Sequence, residues 1–559
     1  MANNNQQIQI IFMSLRIRCL IVCLFAVGFL AAQQTVGLFQ NSPEAYNGYT
    51  LFSNDQMTYL MDNCGDVVHT WQSAYPPGNS LYLLENGNLL RTARISGAFS
   101  GGGIGGRIEL FSWEGDLLWA YDHASFAYHH HHDIEPLPNG NFLLVAWERM
   151  TSEEAIANGR NTGTVTEDGV WPEQIVEIEM VGNSEANWLW EWHLRDHLVQ
   201  NFDNTKENFG VVADHPELVN FNYPPGDDNA DWNHVNAISY NATLDQIAIS
   251  AHRFDEIWII DHSTTSEEAA GHSGGNAGRG GDLLYRWGNP IAYDRGTLTN
   301  QVLFNQHDVR WLPEEHPFAG QLMVYNNQKF GNQSAIDIWV PPLNSDNTYN
   351  LENGAAYGPL DLSWTYTNSD LFSPRISGAQ PLLNNNILIC EGNSGEFTEV
   401  TLAGEIVWRY INPVSRVNGV TSQGSEVAGN DTFRATRYGT DYGAFTGREL
   451  TPSGPIELNP LVSDCEIFMT TSVVEENIPV GIRIVNTLVN ENLWIENLNN
   501  NILEIEVYDL LGNLVVKKSS NDLEIVMEMA SLNKGVYFVQ GKDQRSGAWW
   551  NLGKVIRID

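Results

Sequence analysis

The sequence predicts an all-β chain: a six-bladed β-propeller followed by a small C-terminal β-sandwich. Three observations predict it. Short alternating runs rich in Val, Ile, Tyr and Trp are separated by Gly- and Asn-rich turns, with 49 glycines in 559 residues and almost no helical periodicity. Six runs end on a tryptophan that follows a turn: Trp71, Trp119, Trp190, Trp287, Trp364 and Trp408. Five others open on a polar residue at one fixed place before a turn: Asn79, His132, His234, His307 and Ser377. The tryptophan intervals run from 44 residues (Trp364 to Trp408) to 97 (Trp190 to Trp287). The short ones fit a four-stranded blade and the long ones a blade with inserted loops.

In chain order, residues 1–32 read as a signal peptide. Arg16 and Arg18 form a basic region, an apolar run follows to Leu30, and Ala31-Ala32 makes a cleavage zone. The apolar run is short for a membrane span, and no later stretch is apolar enough, so no transmembrane segment is expected in the mature protein. Residues 33–460 are the predicted propeller. Its insertions fall at 150–172, 195–230, 263–282 and 341–359, where Asp, Asn, Gly and Ser predict surface loops. The stretch FRATRYGTDYGAF is placed to return and pair with the early strand GYTLF, closing the ring and removing the open sheet edges. From residue 477 to 559 the pattern becomes that of a small separate β-sandwich.

The net charge of −39, or −41 once Arg16 and Arg18 leave with the signal, argues against a nucleic-acid partner. Three cysteines remain beyond residue 32: Cys64, Cys390 and Cys465. That number excludes a disulfide scaffold and leaves one bridge open, with no pairing indicated.

Two familiar patterns lack their context. Gly271-His272-Ser273-Gly274-Gly275 fits a nucleophile elbow, but its flanks read as a flexible loop. The glycines from Gly101 to Gly106 fit a dinucleotide fingerprint without a βαβ unit around them, and read as a loop. The run His129-His130-His131-His132-Asp133 carries more. A strand alternates faces, so at most two of the four imidazoles point one way. His132 is a candidate for the central pocket. A metal site built from this run with His234 and His307 would instead make the chain a metal-dependent hydrolase. His234 and His307 stand at equivalent repeat positions, which blade symmetry brings together on the axis, and imidazoles there suit nucleophilic or acid–base chemistry. Asn236 is placed to orient a ring, and Ser377 is the matching entry residue of a later repeat. Cations are scarce, so Lys329, Arg375 and Arg437 are the candidates for an anionic substrate group.

At DWNHVN, HHDIEPLPNGN, QHDVRWLP, SGAQPLLNNNILICEG and FTEVTLAGEIVWRYINP the chain resembles the bacterial arylsulfate sulfotransferase family, over roughly residues 45–455. The resemblance implies a six-bladed propeller. It also implies transfer of a sulfuryl group from a phenolic sulfate to a phenol, carried by a histidine, with no nucleotide donor and no cofactor. His234 and His307 match family histidines. The late family nucleophile falls on Ser377, and the family arginine on a stretch that offers Lys329. His132 is therefore the candidate for the missing imidazole. A non-catalytic propeller that binds polysaccharide is the alternative. The series IEVYDLLGNLV, LNKGVYFVQ and KVIRID resembles the sorting domain of type IX secretion cargo, which implies that secretion machinery as a partner, secretion or surface attachment, and a Bacteroidetes-type source.

Overall fold

The computed structural model describes residues 33–468 and, further on, 482–485, 488–498, 502–509, 513–545 and 549–557. The predicted leader lies outside the described residues. The described residues fall into two compact units, 33–468 and 482–557.

The first unit is all-β with a propeller-like arrangement of antiparallel sheets. Sheet I joins Thr436–Gly439, Gly48–Ser53, Met57–Met61 and Val67–Gln72, in that order. Sheet II is Pro77–Leu83, Leu89–Arg94, Gly106–Phe111 and Leu117–Asp122. Sheet III is Tyr128–Pro136, Phe142–Glu148, Glu173–Val181 and Glu185–His193. Sheet IV is Val235–Asn241, Gln246–Ala251, Glu256–Asp261 and Tyr285–Trp287. Sheet V is His307–Trp311, Leu322–Asn326, Ala335–Trp339 and Trp364–Tyr366. Sheet VI is Gly378–Pro381, Ile387–Glu391, Glu396–Val400 and Ile406–Ile411, with Gly37–Asn41 added at its edge. The early strand GYTLF does pair with the late one, Gly48 opposite Gly439 and Leu51 opposite Thr436.

Each tryptophan singled out in the sequence lies in the fourth strand of its sheet, and each ties that sheet to the next. The indole N–H of Trp71 donates to the Ser112 carbonyl, Trp119 to Glu185, Trp190 to the Thr264 hydroxyl, Trp287 to Pro359 and Trp364 to Leu402. Trp408 of sheet VI donates to Asn63 of sheet I at 2.8 Å, which brings the series back to its start. Burying an indole is favourable only if its N–H finds an acceptor, so these bonds fix how each sheet leans on its neighbour.

The first strands of successive sheets are joined by a second series. Ser80 Oγ accepts from Ile134 N, Asp133 from Ile238 N, Ser239 from Trp311 N and Asp308 from Ala379 N. Gln380 exchanges two bonds with Arg437, and the Tyr438 hydroxyl accepts from Leu83 N. In sheets II to V this first strand also carries a bulge near its entry, between Pro77 and Leu81, before Ile134, between Val235 and Ile238, and between His307 and Arg310. A bulge bends the strand and re-aims the side chains beside it.

Cys64 and Cys465 form a disulfide, settling the pairing left open by the sequence, and Cys390 is free and buried. The bridge closes a loop spanning 401 positions, the kind of long closure that restricts the unfolded chain most.

In the second unit one sheet holds Ile482–Ile484, Asn492–Asn497 and Glu524–Glu528. The other holds Leu488–Val489, Trp549–Arg557, Gly535–Asp543, Leu503–Tyr508 and Leu514–Ser520. Leu493, Ile495 and Met527 of the first sheet and Ile505, Val507, Val539 and Val555 of the second share one buried core. Among the described residues no helix is long and apolar enough to cross a membrane.

Candidate functional site: a row of imidazoles at the strand entries

Four imidazoles lie in a row where sheets III, IV and V begin. The His132 and His234 ring centroids are 4.6 Å apart, His234 and His252 5.3 Å, and His252 and His307 5.0 Å. His132, His234 and His307 reach the row from the entries of their sheets, and His252 from the turn after the second strand of sheet IV. His132 and His234 sit at φ of +52° and +50°, a left-handed backbone uncommon for residues with a Cβ. In sheet V the equivalent strain falls one residue later, on Asp308 at +57°.

Each ring is held differently. His234 Nδ1 lies 2.6 Å from Asp231 Oδ2, and the other Asp231 oxygen accepts from the Trp147 indole at 2.9 Å. Burial pushes His234 down, but the Asp231 carboxylate, by charge and hydrogen bond, more than offsets it, and the pKa is raised. Asp231 is correspondingly lowered: burial raises it and His234 overrides that. His234 is thus the ring of the row pushed toward its charged form. Burial holds His132 and His252 well below the ordinary imidazole range, reinforced by neighbouring histidines. His307 is lowered by burial to about 4. It donates from Nδ1 to Asn327 at 2.9 Å and accepts at Nε2 from Ile376 N at 3.1 Å, so both nitrogens are engaged.

His132 has a second partner behind it. Its Nδ1 is 2.7 Å from His131 Nδ1, and His131 Nε2 is 2.7 Å from Glu173 Oε2. His131 and Glu173 are fully buried, and the His131 ring stacks on Trp147 at 4.0 Å. Burial drives Glu173 well above the ordinary carboxyl range and His131 well below the imidazole range. The three groups form a continuous line along which protons can shift.

The glycine loop dismissed as a dinucleotide fingerprint has a different role. A Cβ at Gly101 would stand 2.3 Å from Trp147, at Gly103 2.1 Å from His132, and at Gly105 2.4 Å from His130. Only hydrogens fit there, so the loop lies flat against the imidazoles. A cleft of about 250 Å³ opens beside this loop, lined by Asn79, Ile376 and Phe433 with Arg94, Arg416 and Asp431. Phe433 is 6.1 Å from His132, and Ile376 is the residue bonded to His307.

Of the predicted residues, the structure gathers His132, His234 and His307. Ser377 is buried at its strand entry, accepting from Gly392 N at 2.9 Å. Asn236 is buried with its amide donating to the Gln306 carbonyl. Arg375 reaches Asn393, and Lys329 pairs with Asp337 at 2.6 Å. Arg437 pairs with Glu399, both fully buried, and stacks over Trp408 at 4.1 Å. Its charge is committed to the closing strand, because a buried guanidinium needs its counter-ion. The cations on the cleft are instead Arg94 and Arg416, the latter paired with Asp431. Beneath the row, Arg434 bridges Asp133 at 2.7 Å and Asp308 at 2.8 Å.

Sequence reasoning passed over His252, Asp231 and Glu173, and named His131 only as a member of the four-histidine run. Asp231 had a usable signal, three positions ahead of His234 in DWNH. Glu173 had none, being a lone acid inside a strand.

A family model described as Arylsulfotransferase (ASST) matches residues 35–423, and one described as Secretion system C-terminal sorting domain matches residues 489–549. A comparison with curated proteins found no match. Among solved structures, a protein of unknown function from Bacteroides caccae is 11% identical, covering 70% of this chain and 99% of its own, with a TM-score of 0.37. The β-propeller domain of Cps50 (Swd1) from Myceliophteria thermophila is 10% identical, covering 75% and 96%, with a TM-score of 0.34. PorZ, a surface component of the type-IX secretion system of Porphyromonas gingivalis, is 10% identical, covering 90% and 64%, with a TM-score of 0.26. The sorting domain indicates export to the cell surface or beyond, and implies interaction with the secretion machinery.

Proposed function

The chain belongs to the arylsulfotransferase (ASST) family, and on that premise we propose that it transfers a sulfuryl group from an aryl sulfate to a phenol through a histidine, without a nucleotide sulfate donor. In this reading sheets I to VI are six blades around one axis, residues 33–460 form that propeller, and residues 477–559 are a β-sandwich sorting domain. The observation that carries the reading is the imidazole row, in which Asp231 raises His234 while burial lowers the rings on either side, beside a cleft that bears two arginines.

His132 is the carrier. The line from His132 to Glu173 holds two or three protons. With two, Glu173 is a carboxylate, both bridging protons lean toward it, and His132 Nε2 is a bare lone pair. That nitrogen attacks sulfur as the bond to the aryl oxygen breaks. The departing phenolate takes a proton from the His234 imidazolium. The Nδ1 proton of sulfated His132 moves to His131, and the Nε2 proton of His131 moves to Glu173, whose buried carboxyl favours the neutral form. In the second half, the acceptor phenol gives its proton to neutral His234 and attacks sulfur. The nitrogen–sulfur bond breaks and the protons return from Glu173. His234 and the cleft arginines meet the charge on the sulfuryl oxygens. His132 Nε2 is buried against Gly103, so this reading requires the glycine loop to move aside for substrate.

The test is incubation of the protein with a chromogenic phenyl sulfate, with and without a second phenol and with no nucleotide. Chromophore release that depends on the second phenol is expected. Folded protein that releases none in any condition overturns the enzymatic reading.

A further inference from the structure

Away from the imidazole row, three metal-ligating side chains converge beside the inserted loop 263–282. His197 Nδ1 is 2.9 Å from Asp282 Oδ1, and His272 Nδ1 is 2.8 Å from the same oxygen. The ligand atoms of the three residues all lie within 4.8 Å of one another. His197 is fully buried, Asp282 nearly so, and His272 is 61% exposed.

The His197 ring is fixed from its far side: Nε2 is 2.8 Å from the Ala269 carbonyl, which can only accept, so Nε2 carries a hydrogen and Nδ1 is turned toward Asp282. A divalent cation between the two Nδ1 atoms and Oδ1 would be met by all three groups. The spacing suits the cation. Bonds of about 2.0–2.1 Å, separated by about 90–109°, place donor atoms about 2.9–3.4 Å apart. The two His–Asp separations need to open by only a few tenths of an ångström.

The surroundings hold the buried ligand firmly. The His197 ring lies parallel to Trp192, 4° between planes. A Cβ at Gly281 would stand 2.6 Å from His197 Nε2, so the chain before Asp282 packs directly on the ring. On its open side the group faces a cleft of about 550 Å³ that His215 and His272 help to line.

We propose that His197, His272 and Asp282 bind one divalent transition-metal ion of the zinc class. Two imidazole nitrogens and one carboxylate oxygen are a borderline donor set that favours zinc or cobalt over magnesium or calcium. The fourth position faces the cleft and takes water or a ligand from it. The site ties the inserted loop of sheet IV to the strand end of sheet III, and it is independent of sulfuryl transfer.

The test uses the untagged full chain, stripped of metal by chelator and dialysed. Cobalt(II) titration followed by visible absorption, and zinc titration by calorimetry, read the site. One equivalent is expected, with cobalt bands of a nitrogen–oxygen site and a rise in melting temperature on zinc binding. His272→Ala, at an exposed position that leaves the fold intact, is expected to weaken zinc by about 100-fold or more. His132→Asn is expected to retain it. Absence of heat and of cobalt bands overturns the proposal. Retention in His272→Ala with loss in His132→Asn overturns it equally, by moving the metal to the four-histidine run.

Discussion

The strand entries of sheets II and VI and those of sheets III and IV share one backbone device. Asn79 and Ser377 have φ of +123° and +90°, and His132 and His234 have +52° and +50°. At Asn79 and Ser377 a short polar side chain serves the local backbone: the Asn79 amide donates to the Gly103 carbonyl, and Ser377 Oγ accepts from Gly392 N. At His132 and His234 the same entry projects an imidazole into a row whose protonation is set by buried acids. The backbone thus supplies a direction at each entry, and the residue that occupies it decides between structure and chemistry. A second contrast runs parallel to the first. Arg437 and Glu399 neutralise each other inside the fold, whereas Asp231 and Glu173 hold rings whose other nitrogens face the row.

The sharpest way to break the first comparison is to change one entry on each side. His132→Asn is expected to lower kcat by about 1,000-fold or more, the loss of a nucleophile, and Ser377→Ala to change it by less than about 3-fold. Comparable losses in both would mean that the entries are only structural.

Glu173→Gln keeps an acceptor for His131 but cannot take up a proton. A kcat loss of about 100-fold is expected, within the usual range for acid–base groups. The acid limb of the kcat profile should also move to lower pH, a change that a packing role would not produce.

Asp231→Asn removes the carboxylate that raises His234. The imidazolium acid is active below the folded pKa of His234 and lost as pH rises through it, so wild-type activity should extend above pH 6.5 on the alkaline side. In the variant that limb should fall back toward or below 6.5, with a loss of about 10-fold near pH 8. An unmoved limb would remove His234 from the acid role.

The second contrast is sharpened by two arginines. Arg437→Met leaves Glu399 buried without its partner and should cost about 3–5 kcal/mol in urea unfolding, while KM stays constant. Arg94→Ala, on the cleft, should do the reverse, raising KM for an aryl sulfate by about 10-fold with unchanged stability.

The smallest effect concerns pH and stability. His132, His252 and His307 are neutral and buried in the folded state, with lowered pKa values. The unfolded chain binds their protons first, so their contribution is present above about 6.5 and lost as pH falls; for His307 the loss runs from about 6.5 down to about 4. Urea midpoints from pH 7 to 5 should fall. His307→Asn should reduce that slope.

Much of the repeat was legible in the sequence. Each sheet buries an indole where its fourth strand meets the next sheet, so the six tryptophans announced themselves by local pattern alone. The closing strand was readable because GYTLF lacked a partner nearby. His132, His234 and His307 were readable because a repeat shows its entry position several times. Arg437 was misjudged as a substrate cation, because nothing local reveals that Glu399, 38 positions away, lies against it. Glu173 and His252 were passed over for the same reason.

The sequence by itself determined the all-β class, the strand ends, the entries and the sorting tail, since these follow from alternation, turn residues and repeated motifs within a few residues. Only the tertiary structure decided which ring an acid pushes toward its charged form, which acid stands behind His131, which cations reach the cleft, and that Cys64 meets Cys465. Burial and the approach of charges depend on groups far apart in the chain, and a pKa has no value until those groups are in place.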